Sequence, residues 1–398
     1  MLKWSAMRDV IIIGGGPAGL SAALTFENLG LKVTVIEPAQ EKILENPPFD
    51  GREIALTHHS VKLMQAMGVW DRIDPREISI LKEARVENGS GSHPLTFDAR
   101  GKGMLGYFVP NYQIRKALFE EVQHRGNIKV LTQDQCKKLH CLIDSVRVEH
   151  KGDTLQAGLA IVSDGRFSKT RERLGIGYHL HDFRRHMMVC RMRHEKPHHN
   201  IALQWFDKHQ TLAILPLNGN VSSIVLSLPP DEMAIVNALD NASFNREMTK
   251  RLGGRLGQTE LISTRHVYPL KTVFAHRFET RHTALIGDTA VGMHPITAHG
   301  FNFALIAQEI LADEVKVGLE RGENLGAAKQ LNLFEKKLRI KTLPLFTLTN
   351  AIATLYTREE KGIWQLRRAG LNAVNFIKPL KSIVIDALLD KHADSSVK

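Results

Sequence analysis

Residues 9–37 read DVIIIGGGPAGLSAALTFENLGLKVTVIE, and this stretch decides the fold. The short apolar run over 9–13 predicts a buried strand, and the pattern after the glycines predicts a helix that continues to Leu29. Residues 32–36 predict a second strand, which ends at Glu37. A strand, a glycine turn, a helix and a strand in this order form the first β-α-β unit of a doubly wound sheet.

The glycine turn has the spacing of a dinucleotide-binding site. In its G-x-G-x-x-G pattern, Gly14 permits the tight turn and Gly16 lets the backbone approach a pyrophosphate. Gly19 lets the helix pack closely on the strand. Glu37 follows the last glycine by 18 residues, where a carboxylate binds the hydroxyls of an adenosine ribose and repels a 2′-phosphate. The sequence therefore predicts a bound dinucleotide other than NADP.

A second stretch, TALIGDTAVGMHPITAHGFN at 283–302, has a related layout. The apolar run 284–286 predicts a buried strand that stops just before Asp288. A loop containing Pro295 follows, and a helix is predicted over 301–314. Because amides at a helix N-terminus favour negative charge, this layout directs a carboxylate and a positive helix end at one ligand. Taken alone, the stretch could also be a plain connection between two elements.

The chain between these stretches predicts a sheet of another kind. From 178 to 228 the apolar residues alternate, with a hairpin turn at 218–220, which is typical of antiparallel strands. Residues 155–162 are predicted as one strand of a hairpin, ending at Ser163-Asp164-Gly165, and 231–252 as one helix. The chain thus combines a parallel and an antiparallel sheet.

Composition and charge limit the possible classes of protein. The 398 residues are 43% hydrophobic and 24% charged, as in an ordinary globular protein, and no apolar run approaches the ~18 residues of a spanning helix. The three cysteines predict a reducing compartment, without a disulfide framework or a metal site, so we expect a cytoplasmic protein. Of the net charge of +11, residues 331–398 contribute 12 Lys and Arg against 6 Asp and Glu. Such a basic end indicates either an anionic partner or a solvated helical face.

Three ordered motifs together resemble the single-component FAD-dependent aromatic hydroxylases. They are residues 14–19 with Glu37, Asp164-Gly165, and Gly287-Asp288 with Pro295 and 300–302. Within that group the chain is most similar to the ubiquinone-biosynthesis hydroxylases, and the similarity covers nearly its whole length. The segments that carry this finer similarity are DGREIALT (50–57), LGY (105–107), AILPL (213–217), YPL (268–270), RAGL (368–371) and PLK (379–381).

The resemblance implies an α/β (α+β) fold. A Rossmann-like FAD-binding domain is interrupted by an antiparallel-sheet substrate domain and is followed by C-terminal helices. The expected parts are 1–75, 105–177 and 271–330 for the FAD-binding domain, 76–104 for a strand excursion of the substrate domain, 178–270 for the antiparallel substrate sheet, and 331–398 for basic C-terminal helices.

The resemblance also implies roles for single residues around FAD. The glycine turn holds the pyrophosphate, Glu37 the adenosine ribose, Asp288 the ribityl and phosphate side, and 300–302 the pyrimidine edge of the flavin. Pro295 and His299 are the candidates for positioning substrate at the flavin face. The residues expected to contact FAD are Gly14, Gly16, Pro17, Ala18, Gly19, Glu37, Arg52, Gln113, Asp288, Gly300, Phe301 and Asn302.

Two departures from the family pattern indicate a divergent subfamily. The family usually has Gly-Asp-Ala-Ala-His where this chain has Gly-Asp-Thr-Ala-Val at 287–291. It usually has Gly-Gln-Gly where this chain has Ala-His-Gly at 298–300. The ring position that is hydroxylated is therefore not carried over from the family.

The function implied by the resemblance is hydroxylation of a polyprenylated phenol or quinol in ubiquinone biosynthesis, through a flavin C4a-hydroperoxide formed with O2. NAD(P)H or a separate electron-donor protein supplies the electrons, because FAD fills the one dinucleotide fold. A biosynthetic complex or the surface of the inner membrane is the implied partner of the basic end, and nucleic acid is not. Two alternatives remain, an FAD-dependent reductase of a prenyl lipid and an FAD-stabilised, non-catalytic subunit of a complex.

Overall fold

The computed structural model describes residues 9–89, 94–99, 103–207, 209–295 and 300–357. His299 and the RAGL and PLK segments lie outside the described residues. The β-strands are β1 (Asp9–Ile13), β2 (Lys32–Glu37), β3 (Glu53–Leu56), β4 (Ser79–Leu81), β5 (Glu83–Asn88), β6 (Leu95–Asp98), β7 (Gly106–Pro110), β8 (Ile128–Thr132), β9 (Cys136–Cys141), β10 (Val146–His150), β11 (Asp153–Ala157), β12 (Leu159–Val162), β13 (Tyr178–His194), β14 (Ile201–Phe206), β15 (Thr211–Pro216), β16 (Val221–Leu228), β17 (Thr259–Leu261), β18 (His266–Ala275), β19 (Glu279–Thr280), β20 (Thr283–Leu285) and β21 (Val291–Gly292).

The helices follow the same chain order. The α-helices are α1 (Pro17–Glu27), α2 (Glu41–Glu45), α3 (His58–Ala66), α4 (Asn111–Gln123), α5 (Lys169–Arg173), α6 (Pro230–Ala238), α7 (Asn241–Arg251), α8 (Gly300–Glu320) and α9 (Ala328–Thr357), and short 3₁₀ turns lie at Trp70–Arg72, Pro75–Glu77 and Gly287–Thr289. Within the described ranges, no helix combines the length and the apolarity needed to cross a bilayer.

The first sheet is parallel over most of its width. Its strand order is β19, β20, β12, β1, β2, β8, and all neighbours pair in parallel except β19 and β20. Val10, Ile11, Ile12 and Ile13 are all buried, so both faces of the central strand are covered. Side chains of α1, α8 and α9 and of the small sheet β9–β11 complete this core. The predicted doubly wound sheet is confirmed.

The second sheet is antiparallel over most of its width. Its order is β21, β18, β13, β16, β15, β14, β5, β6, with β17 also pairing with β13, and only β14 and β5 pair in parallel. Met188, Cys190 and Met192 on β13 pack in a core with residues of α6 and α7. Since strand side chains alternate between faces, Met187, Val189 and Arg191 lie on the opposite face.

Two predicted elements are wrong in their extent. The single strand expected over 155–162 is broken at Gly158, whose N–H donates to the Asp9 carbonyl at 3.1 Å, and its halves β11 and β12 belong to different sheets. The single helix expected over 231–252 is divided at Asp240. That side chain accepts the Ser243 N–H at 2.9 Å and so caps a new helix, α7.

The segment 76–104 divides between two sheets. β5 and β6 extend the antiparallel sheet, whereas β4 pairs with β7 in a small three-stranded sheet with β3. The segment thereby ties the antiparallel sheet to the strands that follow the first β-α-β unit. Beyond α8 the chain forms α9, a long helix with Pro344 inside it.

Candidate active site

The carboxyl ends of parallel strands meet at one edge of the first sheet. Gly14 follows β1 and Glu37 ends β2, while Asp164 and Asp288 lie shortly after β12 and β20. In an open α/β sheet this edge is where ligands bind. The fold therefore brings the three separate sequence motifs together at one place.

The glycine turn forms an open cradle at this edge. Gly14 has a φ of +103°, and a Cβ there would lie 2.7 Å from the Ser163 carbonyl oxygen. A Cβ on Gly19 would lie 1.8 Å from the Gly14 oxygen, whereas a Cβ on Gly16 would have nothing within 4 Å. No side chain caps the N-terminus of α1, which starts at Pro17. Amides of the first turn of α1, such as that of Ala18, are therefore available to an anionic group.

Glu37 is held rigidly beside this cradle. Its Oε2 accepts the Gly15 N–H at 2.5 Å and its Oε1 accepts the Ala39 N–H at 2.8 Å. A carboxylate offers about four lone-pair sites, so both oxygens keep capacity for a ligand hydroxyl. The arrangement suits recognition of a ribose diol.

Arg166 orients Asp288 and links three segments. Its Nε and Nη2 donate to Asp288 Oδ2 at 3.2 and 2.9 Å. Nη1 donates to the Lys271 carbonyl on β18, and Nη2 also donates to the Met293 carbonyl at 3.3 Å. A Cβ on Gly292 would lie 2.8 Å from the Arg166 Nε, so this glycine leaves room for the guanidinium. The sequence analysis missed Arg166, whose only signal was its position after Asp164-Gly165.

Thr289, one of the departures from the family pattern, connects the second and third motifs. Its Oγ1 accepts the Gly165 N–H at 3.0 Å and donates to the Gly165 carbonyl at 3.3 Å. Asp164 Oδ1 lies 3.5 Å from the same hydroxyl. Alanine, which the family pattern has at this position, lacks the hydroxyl that forms this link. Val291, the other departure in this segment, is buried on β21 opposite Phe274.

The start of α8 closes the site from the other side. A Cβ on Gly300 would lie 3.9 Å from Asp288 Oδ1, which places the N-terminus of α8 beside this carboxylate. Asn302 fastens the helix to β3, since its side chain donates to the Ala55 carbonyl at 2.7 Å and accepts the Thr57 N–H at 3.3 Å. Phe301 is buried. Asn302 therefore positions the first turn through its side chain.

The loop before β3 carries a charged pair toward the same region. Arg52 forms an ion pair with Asp50 at 2.5 Å, and the Asn111 amide donates to Asp50 at 2.7 Å. Burial alone would raise the pKa of Asp50, but the charge and hydrogen bonds of Arg52 lower it below its ordinary value. Burial lowers the pKa of Arg115, which also senses the charges of Asp50, Arg52 and Glu37. Gln113 donates to its neighbour Tyr112 at 3.4 Å.

Pro295 is exposed and follows a buried histidine. Burial lowers the pKa of His294 to about 3, helped by the positive charge of Arg166 and by His181. The His294 ring lies edge-on to Phe183, with 4.6 Å between the ring centroids. The lowered pKa favours the neutral imidazole of His294, the residue directly before Pro295, and no sequence pattern singled out this histidine.

One face of the antiparallel sheet is turned toward this site. The Tyr268 hydroxyl on β18 donates to the Asp50 carbonyl at 2.8 Å, and Tyr268 pairs with Met187 of β13. We call this side of the sheet the substrate face. A row of cross-strand neighbours along it is largely apolar. The row runs through Val189, Val225, Ala213, Gln204 and Val86.

A buried charge cluster joins this face to β3. Arg191 donates from Nε to Glu53 at 2.8 Å and from Nη2 to Glu77 at 3.1 Å. The Glu53 side chain is fully buried, and its Oε2 has no hydrogen-bond partner. Burial raises the pKa of Glu53 to about 7, against the opposing charge of Arg191.

The fold and the site are those of a flavin-dependent monooxygenase built on a dinucleotide-binding domain. The family model described as an FAD binding domain matches residues 7–312. The chain belongs to this family of single-component FAD-dependent aromatic hydroxylases and, within it, to the ubiquinone-biosynthesis hydroxylases.

Individual relatives agree with this placement. The chain is 40% identical to ubiquinone hydroxylase UbiM of Neisseria meningitidis over 96% of this chain and 85% of the relative. It is 29% identical to ubiquinone hydroxylase UbiL of Rhodospirillum rubrum over 98% and 90%. The crystal structure of p-nitrophenol 4-monooxygenase from Pseudomonas putida superposes with a TM-score of 0.75 over 96% of this chain and 99% of that chain, at 18% identity. That structure supports the fold.

The protein is an FAD-dependent enzyme, and its own geometry fits the cofactor. The open side of Gly16, the uncapped start of α1 and the fixed carboxylate of Glu37 match a pyrophosphate followed by a ribose. Asp288 and the start of α8 lie at the other end of the cradle. Gly287, the residue before Asp288, is close to Ala18 of α1, since a Cβ on Gly287 would lie 2.9 Å from the Ala18 Cβ. No group of His, Cys, Asp or Glu within the part of the chain that the structure describes has the arrangement of a metal site.

Proposed function

We propose that this enzyme hydroxylates the aromatic ring of a polyprenylated phenol or quinol, an intermediate of ubiquinone biosynthesis. The observation that carries the proposal is the apolar row of the substrate face, whose Val189 end lies against Gly51 in the Asp50–Arg52 loop. An apolar row suits a prenylated ring better than a charged aromatic acid. The two named relatives are themselves ubiquinone hydroxylases.

FAD, when bound, supplies the activation of O2 and the transfer of one oxygen atom to the ring. The first turn of α1 would hold its pyrophosphate, and Glu37 would hold its adenosine ribose. Asp288, which Arg166 orients, would accept hydrogen bonds from the ribityl side of the cofactor. The amides of Gly300 and Phe301, at the start of α8, would hold the pyrimidine edge and would stabilise the negative charge of the reduced cofactor.

The substrate face orients the ring and keeps water away from it. Water exclusion favours oxygen transfer over unproductive loss of reducing power. Pro295, which is exposed and directly follows buried His294, would position the ring at the flavin face. His299, which replaces the usual glutamine, is proposed from the sequence to affect the same step. Arg52 and Gln113 are the residues that would lie along the cofactor.

Electrons reach FAD from transiently bound NAD(P)H or from a separate electron-donor protein, because FAD occupies the β1–β2 unit. Anaerobic mixing of the purified enzyme with NADH or NADPH tests this point. Bleaching of the flavin absorbance that is faster with substrate present supports direct reduction. An unchanged spectrum indicates a protein donor.

Complementation tests the proposed reaction. The chain is expressed in hosts that each lack one ring hydroxylase of ubiquinone biosynthesis, and the quinone intermediates are read by mass spectrometry. We expect quinone to be restored in at least one host, whose identity reveals the ring carbon. If every host keeps its precursor while the enzyme is present and yellow, the proposal is wrong.

Two other functions give different results in the same preparations. A prenyl-lipid reductase would consume reducing power without coupling O2 uptake to a hydroxylated product. A non-catalytic subunit would be purified colourless and would gain no thermal stability from added FAD. A biosynthetic complex or the membrane surface remains the proposed partner of the basic C-terminal end.

A further inference from the structure

The solvent side of α9 carries large apolar side chains. Ile340 is 66% exposed and Leu343 is 46% exposed. Phe334 and Leu338, on the other side of the helix, are buried in the core of the first sheet. Because residues three and four apart share a helix face, the exposed residues form one stripe. We call this stripe the α9 face, and it consists of Lys336, Ile340, Leu343 and Thr347.

The same helix is strongly basic. Among its residues 328–357, Glu335 is the one acidic side chain in the sequence, and it pairs with Arg339 at 2.6 Å. Lys337 pairs with Glu314 of α8. Lys336 and Lys341 are exposed and flank Ile340. Two exposed lysines, Lys336 and Lys341, thus lie beside the exposed aliphatic side chains.

We infer that the α9 face docks on an anionic lipid bilayer. Charge complementarity selects this occupant, since anionic headgroups attract the lysines while the aliphatic side chains enter the interface. A second copy of the chain would bring like charges together at the same stripe. The inference rests on the proposed function, because a polyprenylated substrate resides in the bilayer.

The far end of α9 connects this surface to the substrate face. Ala353 is buried and packs in one cluster with Phe183 and Leu270, with Met187 against it. Met187 lies on the substrate face opposite Tyr268. The helix that carries the α9 face therefore also contacts, through its buried side, the edge of the surface proposed to hold the ring.

Vesicle flotation tests the docking surface. The full-length holoenzyme is mixed with vesicles of phosphatidylcholine and phosphatidylglycerol, or of phosphatidylcholine alone, at low salt. The double variant Ile340→Ser/Leu343→Ser is compared with Ile235→Ser, which removes an aliphatic side chain of matched exposure (67%) from α6. We expect at least a roughly tenfold loss of binding to anionic vesicles for the double variant and none for the control.

The charge variant Lys336→Glu/Lys341→Glu gives a second readout. We expect this variant to bind anionic vesicles more weakly than the wild type. Its remaining vesicle binding should depend little on salt concentration. Wild-type binding by both α9 variants overturns the inference. Equal binding of the wild type to neutral and anionic vesicles also overturns it. A third contradicting result is that light scattering shows the α9 variants to have lost a dimer while they keep lipid binding. Retained flavin content shows that the variants are folded.

The test separates this inference from the proposed reaction. Flotation requires no turnover, so the flotation result can be interpreted whether or not the chain hydroxylates a ring. Activity is measured in parallel on a short-chain, water-soluble phenol. If the α9 variants keep that activity and lose lipid binding, both proposals stand. If lipid binding is lost but the wild type shows no hydroxylation, only the function fails.

Discussion

A side chain at Gly16 would enter open space, whereas one at Gly19 would collide with the backbone. Substitutions at the two positions therefore distinguish an effect on ligand binding from an effect on folding. Gly16 has a φ of −73°, which any residue adopts, and open space at its Cβ position. A Cβ on Gly19 would collide with the Gly14 carbonyl. We expect Gly16→Ala to fold normally and to lose FAD affinity by at least about tenfold, as measured by fluorescence titration.

Gly19→Ala is the matched comparison. It is expected to lower the thermal stability of the protein even without FAD, because the helix must move away from the strand. If Gly16→Ala binds FAD like the wild type, the glycine turn is not the pyrophosphate site.

Asp288 tests the other half of the cofactor site. Removal of its carboxylate in Asp288→Ala leaves Arg166 without its ion-pair partner and FAD without an acceptor on the ribityl side. A hydrogen bond to a charged group contributes about 1.5–3 kcal/mol, so FAD should bind roughly 10- to 100-fold more weakly. Asp182→Ala removes a more exposed ion pair, to Lys271, and is the control. Equal flavin content in both variants would contradict the assignment.

Residue identities at the site were predictable where the signal was local. The glycine turn, Glu37 and Asp288 each lie in a short pattern with its own spacing. Arg166 and Thr289 were not predictable in this way. Their partners lie more than a hundred residues away in the chain, and only the meeting of β12 with β20 brings them together.

Among the structural elements, the substrate face gives the most direct test of substrate binding. Ala213 lies in the apolar row between Gln204 and Val225, and it is half-buried. A larger side chain there occupies space proposed for the ring. We expect Ala213→Phe to keep full FAD content and to raise KM for a polyprenylated phenol by about tenfold or more.

Ile214, the next residue, points to the helix side of the same strand. Ile214→Val should cost about 1 kcal/mol of stability and leave KM unchanged. An unchanged KM in Ala213→Phe would place the substrate elsewhere.

The Glu53–Arg191 cluster predicts a pH dependence. Because burial raises the pKa of Glu53 from 4.5 to about 7, the folded protein holds a proton that the unfolded chain has lost in this range. The contribution of Glu53 to stability therefore falls as pH rises from about 4.5 to 7, by up to ~3 kcal/mol. In Glu53→Gln this loss disappears, so the melting temperature of the wild type relative to the variant should fall across that window.

Glu260→Gln, in the exposed pair with Arg193, is the control and should show no such trend. Parallel pH profiles of Glu53→Gln and the wild type would show that Glu53 ionises normally.

Element types were predicted better than their ends. Hydrophobic periodicity identifies β1, α1 and the alternating strands, because each buries one face over its whole length. It cannot show that 155–162 changes sheets at Gly158, since both halves are apolar and both are strands. Asp240 carried a local capping signal, which the apolar residues on either side obscured.

At the scale of the whole molecule, FAD bridges segments that are distant in the chain. Its proposed contacts come from the ends of β1, β2 and β20 and from the start of α8. Binding to the folded state alone stabilises it by ~2.7 kcal/mol at a ligand concentration 100 times Kd. We expect addition of FAD to stripped protein to raise the melting temperature by several degrees, and an unchanged value would contradict the site.

The architecture was predictable because three ordered motifs specify one arrangement of two sheets. The docking of the antiparallel sheet on the FAD-binding part was not predictable in detail. It depends on contacts such as Tyr268 with Asp50 and Arg191 with Glu53, which no local pattern encodes. The exposed stripe of α9 likewise becomes visible only when the buried side of the helix is known.

The central claim is that this chain inserts an oxygen atom from O2 into the ring of a prenylated phenol. The most direct measurement grows a complemented hydroxylase-deficient host under oxygen-18 gas and reads the ubiquinone product by mass spectrometry, with Gly16→Ala as the matched inactive chain. We expect one additional labelled oxygen in the ring with the wild type and accumulation of the precursor with the variant. Quinone formed without that label, or a precursor whose prenyl chain is reduced instead, would contradict it.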